Sequence, residues 1–239
     1  MKKGKRADGK KSNKILMFSI VLNVLLLALT AVLILNKFGI LTRTTIESYS
    51  YSDNPQYDAN LTMFKFIDGD ADVVFAGDSI TANGRFSEFF PEANVMNRGI
   101  GSDTTEGLYY RLDEIISRKP KKLFIMVGIN DIARNMSKED SLKYYELIIS
   151  EVSKELPDCE IYVQSILPTV LDNYSIIRER NESIKKMCEE HGIKYINLYD
   201  KFLIGGKTDD GLLSADGVHL NGNGYSIWIN AVKEYVYSK

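Results

Sequence analysis

The 239-residue sequence is poor in the residues that mark several classes of protein. It contains 2 cysteines, 2 histidines and 5 prolines. Two cysteines are too few for a disulfide-dense scaffold, and so few histidines and cysteines, far apart in the chain, do not form a zinc site. With 17 glycines and 5 prolines the chain is not collagen-like or of low complexity. No repeat occurs at the period of a solenoid. The composition is that of one ordinary globular domain.

Motifs of two large enzyme classes are also missing. The sequence has no GxxxxGK[ST], the phosphate-binding loop of P-loop enzymes, and no GxSxG, the nucleophile turn of the ordinary α/β-hydrolases. The stretch that begins at Gly99 matches only the first half of GxGxxG, because Thr104 stands where the third glycine is required. We therefore expect neither an organic cofactor nor a bound metal.

Charge is distributed unevenly along the chain. Residues 1–14 contain seven lysines and arginines and one acidic residue, Asp8, and contribute +6 to a formal net charge of -2. The rest of the chain therefore carries -8. Because neutralisation of phosphates requires a basic face, a domain of this sign is not expected to bind nucleic acid.

A long apolar segment follows the basic residues. Residues 15–36 contain no charged side chain over 22 positions. As a helix they would extend roughly 33 Å, which is enough to cross a hydrocarbon core of about 30 Å. The apolar core of a cleaved signal peptide is shorter, about 7–15 residues. We predict a single-pass signal-anchor helix in the cell membrane, with residues 1–14 as a cytoplasmic tail and the remainder extracytoplasmic, because positive charge favours the cytoplasmic side.

The residues after this segment divide into a linker and a domain. Residues 37–58 are rich in serine and threonine and show little periodicity, which predicts a stalk, and residues 59–239 are predicted to form the globular domain. Cys159 and Cys188 would then lie in an oxidising space. The sequence leaves open whether they form a bridge or remain two free thiols.

Short apolar runs alternate with helical patterns in this domain. Such alternation predicts an α/β fold with a parallel sheet covered by helices on both faces. Asp103 and Ser137 are each predicted to cap the start of a helix. The predicted strands are residues 71–76, 94–96, 122–127, 160–164 and 194–198.

Polar residues follow three of the predicted strands, at the edge where α/β proteins bind their ligands. Ser79 follows the first strand and Asn130 the third. A serine nucleophile needs an adjacent base. His191 lies at the end of a predicted helix, so His219, with Asp216 three residues before it, is the better candidate. Preorganised donors for an oxyanion are available from the Ser79 amide, the turn at Gly101 and Ser102, and the Asn130 side chain.

Residues of about 70–237 resemble the SGNH (GDSL-type) hydrolase superfamily, because four segments characteristic of that superfamily occur here in the same order. The resemblance implies a flavodoxin-like three-layer α/β/α sheet. It also implies Ser79 as nucleophile, His219 as base, Asp216 as its orienting group and an oxyanion hole at Ser79, Asn130 and the second segment. Ser102 replaces the usual glycine of that segment, which leaves open whether Gly101 or Ser102 supplies the amide. The segments are Gly77 to Ile80, Asn97 to Thr104, Gly128 to Asp131 and Asp216 to His219.

The expected function is that of an extracytoplasmic serine esterase or acylhydrolase that acts through an acyl-enzyme. A cell-envelope glycan or a small ester is the expected substrate, and the membrane is the expected partner of the N-terminal helix. An O-acyltransferase with the same residues, or a lysophospholipase or thioesterase, are alternatives. A membrane-tethered binding domain without activity is less consistent with the sequence, because a binding pocket does not require serine, asparagine, aspartate and histidine together.

Overall fold

A computed structural model describes residues 17, 19, 20, 22–24, 26, 27, 30, 54–171 and 174–238. The chain forms two compact units, Met1–Tyr51 and Ser52–Lys239. In the first unit the described residues are helical. The predicted span of residues 15–36 lies largely outside the described residues, as do the predicted tail and most of the predicted stalk. Across the described ranges, no helix combines the length and the apolar character that a membrane crossing requires.

The second unit alternates strands and helices along its length. Two short 3₁₀ helices and a small antiparallel hairpin lie between the last strand of the main sheet and the last helix. The elements are α1 (Pro55–Phe64), β1 (Val73–Gly77), α2 (Ser79–Ala82), α3 (Phe86–Phe89), β2 (Val95–Gly99), α4 (Thr105–Tyr110), α5 (Leu112–Ile116), β3 (Lys122–Met126), α6 (Ile129–Ala133), α7 (Lys138–Glu155), β4 (Glu160–Gln164), α8 (Tyr174–His191), β5 (Lys194–Ile196), the hairpin strands β6 (Leu203–Ile204) and β7 (Lys207–Thr208), and α9 (Gly222–Tyr237), with 3₁₀ turns at Tyr199–Phe202 and Asp210–Leu212.

The main sheet is parallel and has the strand order β2-β1-β3-β4-β5. This order confirms the predicted α/β fold and is that of flavodoxin-like sheets, whose ligands bind where the strand order reverses, beside β1 and β3. Gly77 at the end of β1 is level with Gly99 of β2 and with Met126 of β3. Because these three ends coincide, the residues that follow them meet at one edge of the sheet.

Each face of the sheet carries its own apolar core, because successive strand residues point to opposite faces. On β1, Val74 and Ala76 belong to one core and Val73 and Phe75 to the other. The second core contains a stack of aromatic rings centred on Phe75, whose ring centroid lies 3.9 Å from that of Phe86, 4.7 Å from that of Phe124 and 6.5 Å from that of Trp228. Helices therefore cover both faces of the sheet, and the carboxyl ends of the strands lie beyond this cover.

The helix caps agree with the sequence at one position and differ at another. The Ser137 hydroxyl accepts from the amide of Asp140, as predicted for the start of α7. The prediction that Asp103 caps α4 is wrong, because Thr104 caps it and accepts from Gly107. The Asp103 carboxylate is instead paired with Arg111. Asp103 Oδ1 also accepts from the amide of Thr104, one residue before α4 begins.

The compact unit begins earlier than the predicted boundary between stalk and domain. That boundary, at residues 58 and 59, falls inside α1, whereas the unit that contains the sheet begins at Ser52. The helix is tied to this unit because the Tyr57 hydroxyl donates to the carbonyl of Gly107 at 2.8 Å, in a buried position. Asn54 caps α1 through its side chain, which accepts from the amide of Gln56.

Both cysteines are free thiols in the structure. Cys159 is partly buried and Cys188 is buried within the core on one face of the sheet. Burial raises the pKa of each thiol to about 12. Since the thiolate is the reactive form, both side chains behave as small apolar residues.

Candidate active site

Three adjacent strand ends carry the candidate residues at the carboxyl edge of the sheet. Ser79 follows β1 in the middle of the group, the turn from Ile100 to Asp103 follows β2, and Asn130 lies in α6 after β3. Ser79 and Asn130 are half-buried and Ser102 is exposed. The hydroxyl and two sets of polar groups therefore share one edge, open to solvent.

Ser79 is the first residue of the short helix α2, directly after the tip of β1. Asp78 caps this helix, and its carboxylate accepts from the amide of Ile80 at 3.0 Å. The end of α2 is held by Asn97 of β2, whose Nδ2 donates to the carbonyls of Thr81 and Gly84, each at 2.8 Å. These contacts fix the helix against the sheet and so fix the direction of the Ser79 side chain.

Close packing of α2 on β2 depends on a glycine. A Cβ added at Gly99 would lie 2.2 Å from the amide nitrogen of Ala82. Any larger residue would push α2, and with it Ser79, away from the strand.

His219 reaches Ser79 from the loop before α9. Its Nε2 lies 2.8 Å from Ser79 Oγ, and its Nδ1 lies 2.7 Å from Asp216 Oδ2. The structure thus joins three predicted residues, one of which is 140 positions away from Ser79 in the chain. Asp216 and His219 share a tight turn in which Asp216 Oδ1 accepts from the amides of Val218 and His219, each at 2.9 Å.

Gly217 makes this turn possible. Its φ is +69°, a backbone conformation that favours glycine. Its carbonyl accepts from the amide of Val170, and an added Cβ would lie 1.9 Å from Val170 Cγ2. The turn that carries His219 is therefore locked against the segment after β4.

The protonation states follow from these contacts. Hydrogen bonds from the amides of Val218 and His219, with a further one from the His219 ring, lower the pKa of Asp216 to about 2. An ionised carboxylate only accepts, so Nδ1 of His219 carries the proton that faces it. In the neutral ring Nε2 then has a free lone pair, directed at the Ser79 hydroxyl. This arrangement suits removal of a proton from Ser79.

The turn after β2 presents backbone amides to the same edge. It closes through the amide of Asp103, which donates to the carbonyl of Ile100 at 3.2 Å. Ser102, its third residue, has a φ of +59°. Within residues 54–171 and 174–238, the amides of Ser79, Gly101 and Ser102 have no acceptor. They are the donors that a developing oxyanion at this edge would meet.

Asn130 is oriented by the same turn. Its Nδ2 donates one hydrogen to the carbonyl of Asp103 at 2.8 Å. An amide nitrogen carries two hydrogens, so the second remains for a ligand beside Ser79. The side chain is thereby held in one orientation before any substrate binds.

A buried ion pair connects the turn after β2 to the end of β1. Arg111 and Asp103 have side chains only 1% exposed, and Arg111 Nη2 lies 2.7 Å from Asp103 Oδ2. The same nitrogen donates to the carbonyl of Gly77 at 3.0 Å, one residue before Asp78. Arg111 therefore connects the turn after β2 to the strand that precedes Ser79.

Asp131 adds a second buried brace. It accepts from the amide and the hydroxyl of Thr105 and from the hydroxyl of Ser141. Thr105 begins α4 directly after the turn, so Asp131 fixes the distance between that turn and α6.

Asp78 is the most perturbed carboxyl of this region. Burial, with smaller contributions from the charges of Asp103 and Asp131, raises its pKa to about 7. Burial likewise raises the pKa of Asp103 to about 6, although the charge of Arg111 opposes the shift. The low-dielectric surroundings that raise these pKa values also strengthen the hydrogen bonds that hold Ser79 and the turn.

The structure brings together all the predicted site residues and adds others. Ser79, His219 and Asp216 form one hydrogen-bonded chain, and Gly101, Ser102 and Asn130 adjoin it. Arg111 and Asn54 were not identified from the sequence. The pair Asn54-Pro55 is a helix-start signal that predicts α1, but no sequence pattern indicates that Asn54 meets the turn 47 residues later.

Comparison with known proteins adds independent information. Residues 75–227 match the model of the GDSL-like Lipase/Acylhydrolase family. The chain is 28% identical over 170 residues to platelet-activating factor acetylhydrolase IB subunit alpha2 of Rattus norvegicus, which covers 66% of this chain and 73% of the relative.

Solved structures share the fold. A GDSL-like lipase of Bacteroides thetaiotaomicron superposes with a TM-score of 0.67 at 22% identity, over 75% of this chain and 96% of the other. An acetyl xylan esterase superposes with a TM-score of 0.61, also at 22% identity, over 69% and 98% of the two chains. The residues that match the family model, 75–227, include every candidate residue from Ser79 to His219.

Proposed function

We propose that this chain, which belongs to the GDSL-like lipase/acylhydrolase family and is a hydrolase that acts on ester bonds, removes acetyl groups from glycans outside the cell membrane. Ser79 is the proposed nucleophile. The observation that carries the catalytic assignment is the hydrogen-bonded chain from Asp216 through His219 to Ser79, with distances of 2.7 and 2.8 Å. Asp216 orients the imidazole, and His219 acts as general base and then as general acid.

The reaction begins when Ser79 Oγ attacks the acyl carbon of the ester. As the Oγ–C bond forms, the hydroxyl proton moves to Nε2 of His219, and the carbonyl oxygen becomes negatively charged. The ionised Asp216 stabilises the resulting imidazolium. The imidazolium then gives its proton to the leaving alcohol oxygen as the C–O bond of the ester breaks, which leaves an acyl-enzyme on Ser79.

The oxyanion is stabilised by groups already in position. The proposed donors are the Ser79 amide, the Ser102 amide and the second hydrogen of Asn130 Nδ2, all from segments that follow adjacent strand ends. Donors held in place by the protein need no reorganisation during the reaction, and each contributes about 10²–10³ in kcat. Water then attacks the acyl carbon and gives a proton to Nε2 of His219. His219 passes this proton to Ser79 Oγ as the Oγ–C bond breaks, and the acid is released.

An acetyl group is the proposed acyl portion. The named activities of two related proteins, an acetylhydrolase and an acetyl xylan esterase, both concern acetyl esters. A glycan as the alcohol portion is favoured by the proposed location, since sugars of the cell envelope are the abundant hydroxyl compounds there.

Anchoring to the membrane is part of the proposal. The 22 uncharged residues from 15 to 36 follow seven basic residues, and this arrangement favours a cytoplasmic N-terminus with the esterase outside.

Replacement of Ser79 by alanine tests the catalytic assignment. We expect hydrolysis of 4-nitrophenyl acetate by Ser79→Ala to fall by at least about 10⁴-fold, because the nucleophile is absent. Ser117→Ala is the matched control, since Ser117 is exposed and its hydroxyl donates to the nearby carbonyl of Glu114. A fluorophosphonate should label Ser79 in the parent enzyme. Full activity in Ser79→Ala would overturn the assignment.

The substrate is tested by comparing esters of one alcohol with different acyl chains, and then an O-acetylated polysaccharide. We expect kcat/KM to be highest for the acetyl ester and acetate to be released from the polysaccharide into water. A higher kcat/KM for an octanoyl ester, or acetyl transfer to an added sugar without release of acetate, would overturn the proposed substrate or reaction.

Location is tested with the full chain and with a chain that begins at Ser52. The full chain should remain with the membrane fraction after an alkaline wash, and its esterase should be digested by protease added to intact cells whose outer layers have been removed. The chain that begins at Ser52 should be absent from the membrane fraction after the same wash. Protection of the esterase from that protease would overturn the proposed orientation.

A further inference from the structure

We propose that Asn54, which precedes the predicted domain boundary, is a positioning residue that directs the Ser102 amide into the oxyanion hole. This inference rests on the proposed function. The Asn54 Nδ2 donates to the carbonyl of Gly101 at 2.5 Å. The two residues are 47 positions apart, and the contact joins the first residues of the compact unit to the turn after β2.

The contact fixes an amide because the peptide group is planar. The Gly101 carbonyl and the Ser102 amide belong to one trans peptide, so they point in opposite directions. Since the carbonyl faces Asn54, the Ser102 N–H faces away from α1. A hydrogen bond to the carbonyl also polarises the peptide and makes its N–H a stronger donor. This geometry selects Ser102 over Gly101 as the amide that Asn54 controls.

The rest of the turn is held from other directions. The Ser102 carbonyl accepts from Arg134 Nη2 at 3.0 Å, and the Asp103 carbonyl accepts from Asn130. The amide of Asp103 closes the turn onto Ile100. Each of these bonds fixes a peptide other than the one between Gly101 and Ser102. Asn54 therefore has a distinct part in the turn.

Ser102 gives Asn54 a specific task. Its φ of +59° is a conformation that residues with a side chain adopt rarely, and it is most easily taken by glycine. Rotation of the preceding peptide would let Ser102 leave this conformation. The bond from Asn54 opposes that rotation. Beside it, Gln56 Oε1 lies 2.6 Å from where a Cβ of Gly101 would be, so α1 also fits closely against the turn.

Asn54 is itself firmly placed. Its Oδ1 accepts from the amide of Gln56 at 3.1 Å while its Nδ2 donates to Gly101. Exchange of the two atoms would set a donor against a donor and an acceptor against an acceptor, so the orientation of the side-chain amide is determined. The buried bond from Tyr57 to Gly107 then fixes α1 against the start of α4.

The test separates positioning from helix capping. Serine caps a helix as well as asparagine does but is too short to reach the Gly101 carbonyl, so Asn54→Ser removes only the contact with the turn. Asn60→Ala is the control, because Asn60 lies on the same helix and donates to the carbonyl of Gln56 within it. Melting temperature, kcat and KM for 4-nitrophenyl acetate are measured for each variant.

We expect Asn54→Ser to lower kcat about 10-fold with KM unchanged, a smaller loss than removal of an oxyanion donor itself, about 10²–10³. Asn60→Ala should retain the parent kcat. In a Ser102→Gly background, where the turn needs no support, Asn54→Ser should lower kcat less than 3-fold relative to Ser102→Gly alone. This rescue is not expected if Asn54 only stabilises α1.

An unchanged kcat in Asn54→Ser, or an equal loss in both backgrounds, would overturn the inference. Failure of the proposed function is recognised separately, because Ser79→Ala would then remain active. If Ser79→Ala is inactive and Asn54→Ser is fully active, the esterase stands and the role of Asn54 does not.

Discussion

The two halves of the candidate site are supported in opposite ways. The turn from Ile100 to Asp103 is connected to β1, the strand before Ser79, by Arg111 and Asp103, whose side chains are 1% exposed. The candidate base His219 and its partner Asp216 have side chains 34% and 52% exposed. Their turn is closed mainly by bonds between near neighbours, and a single backbone bond, from the Val170 amide to the Gly217 carbonyl, joins it to the segment after β4. One half depends on the packed fold, whereas the other depends on a local turn. Mutations in the two halves should therefore separate stability from activity.

The largest effect is expected on the exposed side. His219→Gln should lower kcat by about 10⁴-fold or more, because the base is lost, while the melting temperature stays within a degree or two, since a partly exposed side chain contributes little to stability. His191→Gln, at the exposed end of α8, should leave both quantities unchanged. A large loss of stability in His219→Gln would contradict the distinction between the two halves.

The buried side should respond mainly in stability. Arg111→Met leaves the Asp103 carboxylate buried without its partner, which destabilises a protein by about 3–5 kcal/mol. We expect the melting temperature to fall by roughly 10 °C, and differential scanning calorimetry measures this change. Lys121→Met is the control, because its ion pair with Asp72 is exposed and contributes less than about 1 kcal/mol. Equal effects of the two substitutions would show that the buried brace is dispensable.

Replacement of Asn130 should lower both activity and stability. Asn130→Ala should lower kcat by about 10²–10³, equivalent to about 2.7–4 kcal/mol, through loss of an oxyanion donor. It should also lower stability by about 1 kcal/mol, because the Asp103 carbonyl loses its hydrogen bond. Steady-state kinetics and thermal unfolding measure both, with Asn60→Ala as the control. A rise in KM at constant kcat would instead indicate a substrate-binding role.

The smallest effect is a change in pH dependence at Asp78. Its pKa is raised from 3.8 to about 7 in the folded protein. Between these values the folded state holds a proton that the unfolded state releases, so the free energy of unfolding decreases as pH rises from about 4 to about 7.

Asp78→Asn keeps the cap of α2 and removes this titration. The variant should therefore gain stability over the parent between pH 5 and pH 8, by a few kcal/mol, since one pKa unit corresponds to about 1.4 kcal/mol. Chemical denaturation at the two pH values measures the gain, and Asp113→Asn at the exposed surface of α5 is the control. A constant difference between parent and variant would contradict a proton held on Asp78.

Much of the fold was predictable because its signals are local. Continuous apolar runs identified all five strands of the main sheet, with ends that differ by a few residues. Parallel strands place their carboxyl ends at one edge, so the positions of Ser79 and Asn130 followed from the strand assignment alone. His219 followed by elimination, since the chain has only 2 histidines.

The cap of α4 was mispredicted because it depends on a contact between distant segments, and the role of α1 was missed for the same reason. Asp103 and Thr104 are both good capping residues, and only the position of Arg111 in the folded chain assigns the carboxylate to an ion pair. The predicted stalk, residues 37–58, includes only the first residues of α1, because the sequence does not reveal what this helix contacts.

The candidate residues and the strands they follow could be identified from the sequence, because apolar periodicity and turn residues are signals that extend over a few positions. The contact of Arg111 with β1 and the contact of Asn54 with the Gly101 carbonyl are visible only in the folded chain. These contacts join segments 34 and 47 positions apart. They form only when packing of the whole sheet brings the segments together, and no local pattern encodes that meeting.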